Sequence, residues 1–421
     1  MIIIKWSKAL FLSAVVVMLS AGATSLSAQS GEYAYVATTA GGVSAFTIDQ
    51  ATGALTQLPG SPIQGGGTPR SFRLDPKGRF AFSLISHFYT CAEFFVPQRC
   101  GVSLNQGISS YSIDASTGSL SLIPGAPFAA TWLPIYLAIS PDGKSVYAVD
   151  YGGDYSGNSP SLLTYSVDRE SGVLTQLAGR ALVQLPANNS SGSVAIDSTA
   201  RFLFVTSCPP RGRGDLTCDT APVTLLAFAI GHKGDLTLAP DSPFSIGVDP
   251  TRIATDPAGK FLYVQSGGSI YAFAIDQASG GLTAVPGSPF GFNAVGGGIG
   301  AAMDPLGQFL FIANARGNTY VNRIDPSTGA LAPVPGSPFA VGGDNSITAD
   351  PTGRFVYMPR GRSCPTGQSS LCIDAAALDR TTGMLTPIPG SPFNVQVSNV
   401  FDLQGVALSP VSIVDTSNQS Q

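Results

Sequence analysis

The chain has 421 residues, of which only 11% are charged, with a formal net charge of −4. That mildly acidic balance argues against a polyanionic nucleic-acid partner. Its 49 glycines and 32 prolines argue against a mainly helical protein and for many short strands joined by turns.

Taken from the start, the sequence opens with Lys5 and Lys8, an apolar run from Ala9 to Leu19, and small residues up to Ala28. This is the pattern of a secretory signal peptide, 1–28, with cleavage near Ala28 or alternatively after Ala23. The apolar run is short for a bilayer, and no later run is longer, so no membrane span is expected. Removal of the segment takes away two lysines and no acid, leaving a net charge of −6. The expected location is periplasmic or secreted.

The mature part, 31–414, reads as repeats of one unit. A turn signal recurs as Asp75-Pro-Lys-Gly, Ser140-Pro-Asp-Gly, Asp197-Ser-Thr-Ala, Asp256-Pro-Ala-Gly, Asp304-Pro-Leu-Gly and Asp350-Pro-Thr-Gly. Proline presets φ and glycine tolerates the tight exit. An apolar strand-like run follows each turn, such as FLYV (261–264) or FLFI (309–312). A second hairpin signal appears seven times, from FTIDQATGAL (46–55) through YSIDASTGSL (111–120) to AALDRTTGML (376–385). Six units end in a Ser-Pro or Ala-Pro corner such as GSPF (287–290). Four short strands per unit, lettered A to D, repeated seven times, predict an all-β, seven-bladed β-propeller. The chain starts on a B strand, YAYVAT (33–38), and its last strand, GVALSP (405–410), has the form of an A strand. The terminal strand is therefore expected to complete the first blade and close the ring, with 415–421 a disordered tail.

Antiparallel alternation puts the A–B and C–D turns on one face and the B–C and D–A loops on the other. The second face receives the long insertions. Six cysteines fall there as three local pairs: Cys91 with Cys100, Cys208 with Cys218, and Cys364 with Cys372. In an exported chain these read as disulfides, and their gaps do not match the short zinc knuckle. The loop SCPPRGRGDLTC (207–218) carries Arg211, Arg213 and an Arg-Gly-Asp tripeptide. Chance readily produces such a tripeptide in so glycine-rich a chain, and its arginines point rather to an anion.

Arginines also head two inner strands, Arg70 after Pro69 and Arg252 after Thr251, while Arg316 and Arg360 follow B strands. Strand A is innermost in a propeller, so these residues are expected to gather around the channel mouth and bind a carboxylate or phosphate. Trp132, Tyr136 and Asp150 belong to the same face, and His87 near Glu93 is the candidate acid–base residue. His232 lies on the opposite face. Asp150 and Asp154 do not follow a known calcium-loop spacing, and neither a metal nor a cofactor is expected. No P-loop, nucleophile elbow or dinucleotide fingerprint occurs.

The repeat TRIATDPAGKFLYVQSGGSIYAFAIDQASGGLTAVPGSPF (251–290) resembles the lactonase-type seven-bladed propellers. That group includes 6-phosphogluconolactonase and carboxymuconate cyclase, and the repeat is also similar to the wider YVTN-repeat propellers. The resemblance spans essentially the whole mature chain. It implies a His, an Arg and a Glu around the channel mouth. Arg252 matches the Arg. The stretch Leu133-Pro134-Ile135-Tyr136 lacks the His, and Gln265-Ser266-Gly267 lacks the Glu. Two functions follow. One is a binding module, expected to be a monomer, taking a small anion or a protein partner on its stapled face. The other is a lactone hydrolase with a rearranged site, Arg252 polarising the carbonyl and His87 or Asp150 acting as base.

Overall fold

The computed structural model describes residues 32–38, 42–65, 67, 69–85, 107–130, 134–150, 161–177, 182–184, 190–208, 223–246, 250–292, 298–314, 316–343, 346–360, 364, 371–396 and 403–408. The strands form seven antiparallel sheets with an A-B-C-D path, five of them carrying a further short strand that also pairs with C. Among the described residues no helix is long and apolar enough to cross a membrane. Blade 5 is representative: Pro250–Thr255 (A), Phe261–Ser266 (B), Ser269–Ile275 (C) and Leu282–Ala284 (D).

Each inner strand contacts the inner strands of its two neighbours in cyclic order, which leaves a channel on the axis. Seven apolar cores fill the gaps between adjacent blades. One of them packs Val36, Phe46 and Ile48 of blade 1 against Tyr357 and Ile373 of blade 7. The B strands are buried on both faces because each contributes alternate side chains to two of these cores, as their doubly apolar sequences require. The last described strand, Leu403–Leu408, pairs antiparallel with Tyr33–Thr38 and is the inner strand of blade 1.

The repeated motifs do specific mechanical tasks. The side chain that opens these A–B turns, an aspartate in five blades and Ser140 in blade 3, accepts backbone N–H groups of the first residues of strand B. Asp304 takes those of Gln308 and Phe309, both at 2.6 Å, and Asp350 takes those of Arg354 and Phe355 at 2.6 and 2.7 Å. Six corners hold a cis peptide before proline. These corners do not end the outer strand; they interrupt it. In blade 2, Leu120–Leu122 and Phe128–Ala129 both pair with the same C strand, Gly107–Ile113, on either side of the corner. The strand C amide left facing the gap donates to the corner serine, as Val321 does to Ser337 Oγ at 3.0 Å and Ala272 to Ser288 Oγ at 2.9 Å. A kinked, serine-capped outer strand offers a poor template to another chain.

Candidate functional site

The channel-lining positions are set by register. Residues two before each A–B turn lie opposite an aromatic on strand B: Ala138 opposite Tyr147, Ala254 opposite Tyr263, Ala302 opposite Phe311. The same position is Ala195, Thr348 and Ala407 in three other blades, and Arg73 in blade 2, opposite Phe82. Six blades carry alanine or threonine at this register position, and blade 2 carries Arg73.

A second layer lies two residues nearer the loop-bearing face. There the A–B ladder slips in several blades. In blade 5 the break falls between Pro250 and Arg252, and in blade 3 Val149 pairs with Tyr136 but Asp150 pairs with Pro134. A bulge adds an unpaired residue and re-aims the side chain next to it. The two re-aimed side chains meet: the Arg252 guanidinium carbon stands 5.9 Å from the centre of the Tyr136 ring. Both are half-buried. Such a cation–π contact contributes about 0.5–1 kcal/mol at a water-exposed site. It fixes the arginine beside an aromatic wall, and a guanidinium fork matches a planar anion. Gln265 is the strand partner of Arg252 and is buried.

Arg73 approaches the same group from blade 2. Its Nη1 donates to the Phe72 carbonyl at 2.9 Å. Among the described residues no ion pair joins it to a carboxylate. Burial among the inner strands, reinforced by the like charge of Arg252, pulls its guanidinium down to about 10, with Tyr136 acting in the opposite sense. Its side chain is nonetheless exposed to water. The two facts describe one setting: an open channel encircles the group with protein yet admits solvent. The side chain therefore stays charged at neutral pH.

The other expected site residues divide. Arg360 is engaged within blade 7, its Nε donating to Asp374 Oδ2 at 2.8 Å and its Nη2 to the Gly342 carbonyl at 2.7 Å. Its guanidinium adjoins the turn that carries Arg316, since a Cβ on Gly317 would stand 3.3 Å from it. Arg316 itself is exposed. Cys364 and Cys372 form a disulfide, with Cα atoms 5.8 Å apart. His87, Trp132, Arg211, Arg213, Cys91, Cys100 and Cys218 lie outside the described residues, as do the side chains of Arg70, Asp150 and Cys208. His232 sits exposed in the C–D turn of blade 4. Among the described residues no group of three or more metal-ligating side chains occurs. Arg73 was not foreseen from the sequence. The only available signal was its place two residues before Asp75, where the other units carry alanine or threonine.

A model of the family described as lactonase, seven-bladed beta-propeller, matches residues 100–208, from the end of the blade 2 B–C insertion to the end of strand B in blade 4. No curated protein matches the chain. Among solved structures, the periplasmic gluconolactonase of Pseudomonas aeruginosa is 18% identical and superposes with a TM-score of 0.65, over 90% of this chain and 99% of that one. A candidate 6-phosphogluconolactonase of Bacteroides uniformis is 18% identical with a TM-score of 0.64, over 90% of this chain and 100% of that one. Another from Bacteroides fragilis gives 18% and 0.64, over 91% and 98%. The chain is a seven-bladed β-propeller that matches the lactonase-propeller family model over residues 100–208 and shares its fold with these solved structures.

Proposed function

We propose that this is an exported lactonase-like propeller that binds a small carboxylate or phosphate ligand at the loop-bearing mouth of its channel. The observation that carries the reading is Arg252 held against Tyr136, each beside a break in its A–B ladder. A guanidinium fork matches a planar carboxylate or a phosphate face, and the tyrosine ring supplies an apolar wall for the carrier. A protein partner presenting an acidic side chain to the same face would use the same chemistry. Export is supported by the signal-like N-terminus, by the Cys364–Cys372 bridge and by the periplasmic location of one protein of like fold.

Lactone hydrolysis is the second reading, favoured by the family match. It needs a carbonyl polariser and a base for water. Arg252 suits the first role. Its strand partner is Gln265, which cannot take a proton from water, so the base would come from His87 or Asp150. The two readings separate in one assay. Proton release from 6-phosphogluconolactone and simpler lactones is followed above the spontaneous rate, with wild type and Arg252→Ala. Binding without hydrolysis predicts background rates for both proteins. A wild-type rate abolished by the substitution would establish the hydrolase instead.

A further inference from the structure

The arginine that the mouth does not account for is Arg73. It lies nearer the tight-turn face, within a cavity of about 440 Å³. The walls come from five successive blades, with Ala138, Ala195 and Ala254 on the near sides and Pro257, Met303 and Pro305 beyond. The cavity is thus the tight-turn end of the channel itself. Its walls are mostly apolar, with Leu137, Val194 and Ile253 beside the alanines, and Arg73 is the one basic residue in its lining.

The nearby carboxylates do not neutralise that charge. Asp304, on the wall, is buried and accepts the backbone N–H groups of Leu306, Gln308 and Phe309. Asp75, two residues along from Arg73, accepts those of Arg79 and Phe80 and pairs with the Arg79 side chain at 3.3 Å. Among the described residues Arg73 makes one hydrogen bond, to the Phe72 carbonyl, which uses a single donor of five. Its neighbouring charge is Arg252, which repels it. A buried or encircled cation without a counter-charge is unfavourable unless something supplies one.

We propose that the tight-turn end of the channel is a second anion site, in which Arg73 holds a carboxylate or phosphate group on a compact carrier. It is distinguished from the mouth site at Arg252 by its dependence on Arg73, and the two are coupled through the repulsion of their guanidinium groups. An anion there relieves the repulsion between the two guanidinium groups, so binding also stabilises the ring.

Inorganic phosphate and acetate are the probes, titrated calorimetrically into the full mature chain. Wild type is expected to bind phosphate saturably, and Arg73→Gln to weaken this roughly tenfold or more, as the loss of a charge-assisted pair does. Arg73→Lys keeps the charge and retains part of the binding. Arg252→Gln is expected to leave the Arg73-dependent phosphate binding in place. Ala254→Leu narrows the cavity with Arg73 intact and is expected to abolish it, which keeps the test open if an Arg73 variant fails to fold. Acetate binding with the same mutant profile would identify a carboxylate as an equally good ligand; phosphate alone would restrict the site to phosphates. Phosphate binding lost in Arg252→Gln but unchanged in Arg73→Gln and Ala254→Leu would overturn this site while leaving the mouth site standing. Absence of phosphate and acetate binding in wild type would overturn it as well.

Discussion

Ser337 and Ala126 occupy the same corner in two blades, and the difference between them is one hydroxyl. Ser337 Oγ accepts the Val321 amide at 3.0 Å, whereas blade 2 has no side-chain acceptor there. Ser337→Ala is expected to lower stability by about 1 kcal/mol, and Ala126→Ser to raise it by a similar amount. Thermal unfolding of the two variants checks both signs. Glu32 offers a titratable case. Its carboxyl is buried, neither oxygen has a hydrogen-bond partner, and the nearest Arg354 nitrogen is 3.9 Å away. Burial, and then the charge of Asp350, raise its pKa above the ordinary 4.5, against the pull of Arg354. A carboxyl whose folded value is raised binds its proton more tightly in the native state. Its stabilising contribution is therefore complete below about pH 4.5 and is lost as pH rises through the raised value. Glu32→Gln is expected to raise the melting temperature at pH 7–8 relative to wild type (roughly the upper end of the usual stability range) and to flatten the fall above pH 4.5. Equal pH profiles for the two proteins would refute the assignment. Of the channel residues, Arg252 was legible because it heads an inner strand in the family-like context Pro-Thr-Arg. Arg73 was missed, because its only mark in the sequence is its place two residues before Asp75, and the register against Phe82 shows that it shares the alanines' position.

The C–D hairpin turns show the same division between what pattern reveals and what packing adds. Asp-x-x-x-Gly was readable as a turn, and each such aspartate does accept the next amides, as Asp325 does from Ser327 at 2.8 Å and Thr328 at 2.9 Å. What the pattern hides is the use of the glycine by the neighbouring blade. Gly329 has φ +75°, and a Cβ there would stand 2.5 Å from the ring of Phe261 in blade 5. Its carbonyl also accepts the Tyr263 hydroxyl at 3.0 Å. Gly329→Ala is expected to cost about 1–3 kcal/mol from backbone strain, with ring displacement added. A melting temperature within a degree or so of wild type would show the contact to be slack, since about 1 kcal/mol moves a domain of this size by a few degrees. The bulges that aim Arg252 and Tyr136 were invisible in the same way. A proline stands at both slips, Pro250 and Pro134, but proline alone does not fix where the ladder shifts.

Across the molecule, the contact between a strand B aromatic and the next blade's turn glycine recurs: Tyr33 on Gly118, Phe80 on Gly172, Phe202 on Gly280, Phe261 on Gly329, Phe309 on Gly383 and Phe355 on Gly53. The last of these joins blade 7 to blade 1. The blade number was legible because each unit repeats its own turn chemistry, and repetition survives even where single units diverge. Blade 3 shows such divergence, with Ser145 in the aromatic's place against Gly234. The long loops carried no comparable signal, because nothing repeats there. Removing residues 403–421 takes away the strand paired with Tyr33–Thr38. This deletion is expected to lower the unfolding midpoint by several degrees and to expose the blade 1 edge to aggregation, which thermal unfolding and light scattering report. An unchanged midpoint would mean that the inter-blade cores alone hold the ring.

The central claim is that the channel mouth recognises an anion through Arg252. The most direct measurement is an equilibrium titration of the mature chain with gluconate, the carboxylate that opening of a gluconolactone yields. It is followed by calorimetry and by the emission of Trp132, the one tryptophan outside the N-terminal segment. Saturable binding that weakens roughly tenfold or more in Arg252→Gln is the predicted result. Binding of equal strength in the two proteins, or none in either, would contradict it.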